Sequence, residues 1–234
     1  MSRESSKKFW NKEYAVPKHL ILSDDPAEDL GTFSRWAIRN AEWFPFPKGG
    51  TAIDIGCGNG RNLIGLCKEF GMKGYGVDIS DIAIQQAKKM GVDLPIVWKV
   101  GDMSDPLPVE DQSADVVLDM MSSHHMMKAE REDLLKEVLR VIKPYGWFFF
   151  KTFVMDGDMH AKRLIKDHPA GEENAYIHPK IGSYEYVWTE DKIRETFSPY
   201  FKIFKMNKSY KHVTRDGKPH KRRTISVYME RIRD

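Results

Sequence analysis

Residues 54–62 read DIGCGNGRN, with glycines at 56, 58 and 60 between a short apolar run and a helical one. Glycine is the residue that lets a backbone turn sharply and approach a ligand closely. A turn of this kind after a strand and at the head of a helix commits the chain to a strand–turn–helix unit, and the rest of the pattern repeats it. Thr51 to Ile55, Lys73 to Val77, Pro95 to Val100, Ala114 to Leu118 and Trp147 to Phe153 read as strands. Arg61 to Phe70, Asp81 to Met90 and Ala129 to Ile142 read as the helices among them. Ser80 is placed to cap the second of these, Gly71 and Gly91 follow two helix ends, and Pro144 and Gly146 close the third. Alternation of this type predicts an α/β fold with a parallel sheet, and near-continuous apolar strands predict a sheet covered on both faces.

The flanks follow other rules. Pro26 to Phe44 reads as a helix stopped by Pro45, Pro47, Gly49 and Gly50, so residues 1–48 form a helical N-terminal flank. The stretch 156–188 is less regular and is expected to be an insertion or lid over a pocket. Glu190 to Thr196 is a short helix. Phe201 to Tyr210 and Arg222 to Arg231 are strands with Asp216-Gly217 between them, which predicts an antiparallel hairpin. The whole of 1–234 is read as one domain.

Charge and composition narrow the partners. The net charge of +3 hides an asymmetry, because residues 202–234 carry 11 Lys/Arg against 3 Asp/Glu. Such a run can attract phosphates and so admits an RNA acceptor, or it can simply protect a sheet edge; the edge reading is favoured. No apolar run approaches the roughly 20 residues of a membrane span. No apolar stretch follows the charges of MSRESSKKFWNKEY, so a secretory leader is not expected. Cys57 and Cys67 cannot build a disulfide scaffold or a C-x-x-C zinc site, and a cytoplasmic home is expected.

Four signals carry chemistry, all at predicted strand ends. Ligands of open α/β sheets bind there. The glycine loop differs from the dinucleotide pattern G-x-G-x-x-G, since its third glycine comes one residue early, and it lacks the G-K-[ST] of a phosphate loop. Asp54 before the loop suits a ligand with a cationic amino group. Asp78, 18 residues after Gly60, can accept both hydroxyls of a ribose. Asp102 can accept an adenine amino group, with Met103 against the ring. The end of 115–120, DVVLDM, faces the same crevice.

In this order, DIGCGNGRN, GVDIS, GDM, ADVVLDM and LKEVLRVIKPYGWFFF resemble the class I S-adenosylmethionine-dependent methyltransferases over about Gly50 to Phe153. The resemblance implies a Rossmann-like sheet of seven strands, mostly parallel, with helices on both faces and a C-terminal antiparallel hairpin. It implies S-adenosyl-L-methionine as cofactor, with Gly56, Gly58 and Gly60 along its methionyl and ribose part. Asp54, Cys57 and Asn62 complete the loop's share, Asp78 and Ile79 meet the ribose, Asp102 and Met103 the adenine, and backbone near Asp119 and Met120 the methionine end. Phe9 to Tyr14 is similar to an aromatic segment that folds over the cofactor in small-molecule methyltransferases, which adds Trp10 and Tyr14; both could instead cover apolar surface. Residues 211–217, KHVTRDG, look like the closing hairpin of tellurite-resistance-type methyltransferases, with His212 matching its histidine and Val213 standing where an arginine is expected.

The remaining candidates have two readings each. His124 and His125 follow the fourth strand, where one could act as a general base or both could form pocket wall. His212 is a third candidate base. Cys57 is read as a small buried filler rather than a nucleophile. His160, His168 and His178 lack metal-ligand spacing, so no metal is expected. The expected activity is methyl transfer to an O, N or S atom of a small molecule. The alternatives are an RNA methyltransferase and a cofactor-binding protein without turnover.

Overall fold

The computed structural model describes residues 3–16, 48–209 and 222–233. The helix read at 26–44, the turn at Asp216-Gly217 and His212 lie outside the described residues. Helix α1 (Arg3–Ala15) precedes β1 (Thr51–Ile55), α2 (Arg61–Phe70), β2 (Lys73–Asp78), α3 (Asp81–Met90) and β3 (Ile96–Val100). Then come β4 (Ala114–Met120), a single 3-10 turn (Ser123–His125), α4 (Lys128–Val141) and β5 (Ile142–Phe153). The chain ends with α5 (Met159–Asp167), β6 (Ala175–Ile177), β7 (Tyr184–Tyr186), α6 (Glu190–Phe197), β8 (Phe201–Lys208) and β9 (Thr224–Arg231).

Among the described residues, seven strands form one sheet in the order β3-β2-β1-β4-β5-β9-β8. The first five run parallel, while β9 is antiparallel to both β5 and β8. The mostly parallel sheet and its terminal antiparallel pair agree with the sequence reading. The order has one consequence for function. The chain leaves β1 toward β2 and β3, then returns to place β4 on the other side of β1. Loops on the two sides therefore diverge, and a crevice opens beyond the carboxyl ends of β1 and β4.

Strand alternation sorts the core into two layers. Ile53, Ile55, Val117, Phe148 and Phe150 point to the face covered by Leu134 and Val138 of α4 and Ile193 and Phe197 of α6. Ala52, Val116, Leu118 and Phe149 point to the other, against Leu63 and Leu66 of α2. Each fully buried aliphatic or Phe side chain contributes about 1.5–3 kcal/mol from area removed from water. Truncating Phe149, 1 % exposed between Trp147 and Tyr228, costs about 3–5 kcal/mol.

The Ser80, Gly71 and Gly91 caps hold, while Pro144 and Gly146, expected to close α4, lie within β5, which already starts at Ile142. Ser80 Oγ accepts from Ala83 N at 3.1 Å, and Gly71 ends α2 in the left-handed region at φ 64°. The stretch 156–188 is more regular than its composition suggests. Asp158, fully buried, accepts from Ala161 N at 2.9 Å as the cap of α5 and from Arg223 N at 2.7 Å. Beyond α5, β6 and β7 pair antiparallel as a separate small sheet. Asp158 thereby ties this segment to the start of β9, a bond over 65 residues that the sequence does not announce.

Candidate cofactor and acceptor site

A cavity of about 540 Å³ occupies the crevice beyond β1 and β4. That lies within the roughly 300–1,000 Å³ of small-molecule sites. One wall is the glycine loop. Gly56 and Gly58 have φ of 68° and 56°, a region open to glycine and strained for other residues. A Cβ on Gly56 would overlap Ser122, and one on Gly58 would overlap the Tyr14 hydroxyl. Both positions need glycine twice over, for conformation and for space. Cys57, buried, and Asn62 also line the cavity. Burial pushes the Cys57 thiol well above its ordinary pKa, so it stays protonated and inert.

Asp78 terminates β2 beside this loop. Its Oδ2 accepts from Gly58 N and its Oδ1 from Ser80 N, each at 2.8 Å. Burial raises its pKa, and these two backbone donors oppose the rise. The carboxylate thus holds the loop's shape and lines the cavity, with Ile79 and Met103 offering apolar surface nearby. Met120 and Met121 line the adjoining wall, Met121 at a left-handed φ of 69°.

Helix α1 lies over the entrance with Trp10 and Tyr14 half-buried and no residue fully so. Its contacts are polar. Asn11 Nδ2 donates to Asp81 Oδ1 at 2.6 Å, Ser80 Oγ donates to Asn11 Oδ1 at 2.7 Å, and Gln86 Nε2 donates to the Tyr14 carbonyl at 2.9 Å. Trp10 and Tyr14 both line the cavity, and Trp10 meets His125 edge-on at 5.2 Å. Burial, then the Asp78 charge, raises the Tyr14 pKa, so its hydroxyl remains a donor.

Three residues expected on the cofactor turn elsewhere. Asp54 sits behind the loop, 1 % exposed, where its Oδ2 accepts from Asn62 Nδ2 at 3.5 Å. Burial pushes its pKa up to about 8, which suits a buried neutral acid better than a counter-ion for an amino group. Gly60 heads α2 at φ 81°, and a Cβ there would overlap the Trp98 ring, so this glycine serves packing. The Asp102 carboxylate is held by Ser104 N at 3.0 Å and Arg3 Nε at 3.2 Å, which leaves Met103 to line the cavity. Asp119, whose backbone was the expected contact, has its carboxylate in the 3-10 turn: Oδ1 accepts from Ser123 N at 3.1 Å and lies 2.6 Å from Ser122 Oγ.

At the far end, His124 and His125 leave that turn and line the cavity with Lys151, Phe153, His178, Ile181 and Glu185. Burial lowers the pKa of both imidazoles, and each further lowers or is lowered by a neighbouring histidine. Sequence reasoning did not place Lys151, Phe153, Ile181 or Glu185 here. The strand-end rule would have found the first two, since β5 lies beside β4. Nothing local marks Glu185, which arrives by way of the small sheet.

Geometry of this kind, a glycine cradle and a strand-end carboxylate at the switch point of a doubly wound sheet, defines a nucleoside-binding α/β protein. Residues 53–150 match a family model described as a methyltransferase domain. The chain is 31% identical to 27-O-demethylrifamycin SV methyltransferase of Amycolatopsis mediterranei over 58% of its own length and 51% of that protein's. It is 32% identical to demethylmenaquinone methyltransferase of Lactobacillus johnsonii over 58% and 56% respectively. It thus spans about half the length of these curated relatives. Among solved structures, a Pyrococcus horikoshii protein superposes at TM-score 0.68 with 22% identity, covering 94% of this chain and 98% of that one. A geranyl diphosphate methyltransferase bound to sinefungin superposes at 0.67 with 18% identity, covering 98% and 99%. Over residues 53–150 the chain is thus similar to a methyltransferase domain, for which the motif resemblance implies S-adenosyl-L-methionine as cofactor. The residues present fit it: the Gly58 cradle, the Asp78 carboxylate and the apolar Ile79 and Met103 suit a nucleoside. Among the described residues, no helix is long and apolar enough to cross a membrane.

Proposed function

We propose that the protein transfers a methyl group from S-adenosyl-L-methionine to an O, N or S atom of a small molecule. One observation carries the reading: a single cavity has a nucleoside-type wall at one end and a separate histidine-rich, aromatic wall at the other. Small-molecule relatives support it, including 27-O-demethylrifamycin SV methyltransferase and a 2-methyl-6-phytyl-1,4-hydroquinone methyltransferase. The cofactor supplies a methyl carbon already activated by its sulfonium, so the chain's work is binding and alignment.

Gly56 and Gly58 give backbone close approach, Asp78 takes the ribose hydroxyls, and Ile79 and Met103 flank the base. Met120 and neighbouring backbone hold the methionine end, with Cys57 and Asn62 filling the loop side. Trp10 and Tyr14 close over the cofactor from α1. Residues 156–188 act as a lid on the acceptor side, where His178 and Glu185 enter the cavity. Water is thereby excluded from the reacting atoms. The test is calorimetry with S-adenosylhomocysteine: micromolar binding that is lost on Asp78→Ala is expected. An absence of binding by the intact chain would overturn the reading.

A further inference from the structure

The two histidines at the far end of the cavity are not equivalent. Their ring centroids stand 4.0 Å apart, and both rings line the cavity. His124 is buried, and its Nδ1 has no hydrogen-bond partner among the described residues. His125 Nδ1 stands 3.1 Å from the Tyr184 carbonyl oxygen. A carbonyl can only accept, so Nδ1 carries the ring proton and donates it. In the neutral ring, Nε2 then holds the lone pair. The anchoring carbonyl fixes both tautomer and ring orientation, as the third member of a nucleophile–base–orienter set does.

The surroundings bear on what such a lone pair can do. Burial disfavours charge on His125, and His178 adds to this, while Glu185 of β7 favours a proton there. His124 shares its turn, Lys151 comes from β5, and Glu13 and Tyr14 face the same cavity from α1. Glu185 is itself buried, accepts from Tyr176 Oη, and lies 3.4 Å from Arg222 Nη1. It is held in place by that network. The Trp10 ring stands edge-on to His125, and the Phe153 ring stands edge-on to His124 in the same cavity.

A neutral amine has its lone pair ready and needs no base in order to attack. An aliphatic hydroxyl lies further in pKa from an imidazole and gives less driving force for removal of its proton. A phenol-type hydroxyl, with a pKa near 10, is the nucleophile that a positioned imidazole can help. Resting on the methyltransferase reading above, we propose that the acceptor is an aromatic hydroxyl compound and that His125 Nε2 takes its proton as the methyl is transferred. The hydroxyl O–H bond breaks toward Nε2, and the oxygen's electron pair forms the new O–CH₃ bond. The S–CH₃ bond breaks with its pair left on sulfur, and the positive charge reappears on the imidazolium. Glu185 is the positioning residue that stabilises this imidazolium, and the proton then leaves to water.

The test uses the full chain saturated with S-adenosylhomocysteine and 4-nitrophenol as probe. His125→Gln is expected to weaken 4-nitrophenol at least about tenfold while changing S-adenosylhomocysteine affinity by less than about twofold. The probe 4-nitroanisole, which has no proton to give, should bind both forms alike. Nitrogen NMR of wild type should place the His125 proton on Nδ1, and Glu185→Gln should lower the midpoint of the His125 titration. Equal 4-nitrophenol affinity in wild type and variant, no binding of that probe, or a proton on Nε2 would each overturn the proposal. Should His125→Gln misfold, the wild-type NMR result still decides. Failure of S-adenosylhomocysteine to bind wild type would instead strike the methyltransferase reading.

Discussion

Asp54 offers a sharp test of how the glycine loop is supported. It is 1 % exposed, and the hydrogen bond it receives comes from Asn62 at 3.5 Å. Burial, reinforced by the Asp119 and Asp78 charges, lifts its pKa from 3.8 to about 8. A carboxyl raised in this way stabilises the fold fully below its unfolded pKa. That stability drains away as pH climbs through the folded pKa, because the unfolded chain ionises first. Between those limits the loss is about 1.4 kcal/mol per pH unit, or about 2–3 kcal/mol from pH 5 to pH 7. Asp54→Asn keeps size and shape, retains an oxygen for the Asn62 donor, and cannot ionise. The variant should match wild type in stability near pH 4 and pull ahead as pH rises toward 8. Urea unfolding at half-unit pH steps measures this directly. Asp78 and Asp119 are also raised by burial, so wild type loses stability through more than one group. The quantity of interest is the difference in slope, close to one proton between about pH 5 and 7. Parallel curves for the two proteins would refute the reasoning, since Asp54 would then ionise in the fold at its ordinary pH.

Other outcomes separate cavity glycines from packing glycines. Gly58→Ala should cost about 1–2 kcal/mol of stability for its left-handed backbone. It should also displace Tyr14, so calorimetry should show S-adenosylhomocysteine binding weakened by more than about tenfold. Gly60→Ala drives a methyl into Trp98 and should cost about 2–4 kcal/mol from overpacking and backbone strain together, read as a lowered urea midpoint. Its ligand affinity per folded molecule should stay near wild type, and a loss as large as that of Gly58→Ala would return Gly60 to the site. Tyr14→Ala removes a half-buried side chain that lines the cavity, so stability should fall by about 1–2 kcal/mol in thermal unfolding while cofactor affinity falls further, by more than about tenfold. Equal affinity there would mean that α1 does not cover the cofactor.

The contrast between Gly58 and Gly60 shows where reading a sequence stops. Both belong to one loop, both need a left-handed backbone, and spacing alone gives them the same role. What differs is the neighbour, Tyr14 in one case and Trp98 in the other, and each comes from a distant part of the chain. Asp78 and Asp102 diverge for the same reason. Each ends or follows a strand on the ligand side, but Arg3 and Ser104 occupy Asp102, while Asp78 turns to Gly58 and Ser80 beside the cavity.

Local chemistry determined β1 to β5, the helices among them and most of their caps, because apolar period, capping hydroxyls and glycine turns act within a few residues, but it did not mark α5, β6 or β7. The parallel sheet and its switch point followed from the alternation of those elements. Tertiary structure alone decided which carboxylates face the cavity. It alone brought Glu185 from the small sheet to the histidines of the turn after β4, and bound Asp158 to Arg223. Hydrogen bonds and burial are claimed by whichever partner arrives closest in space, and that competition has no signature in a window of neighbouring residues.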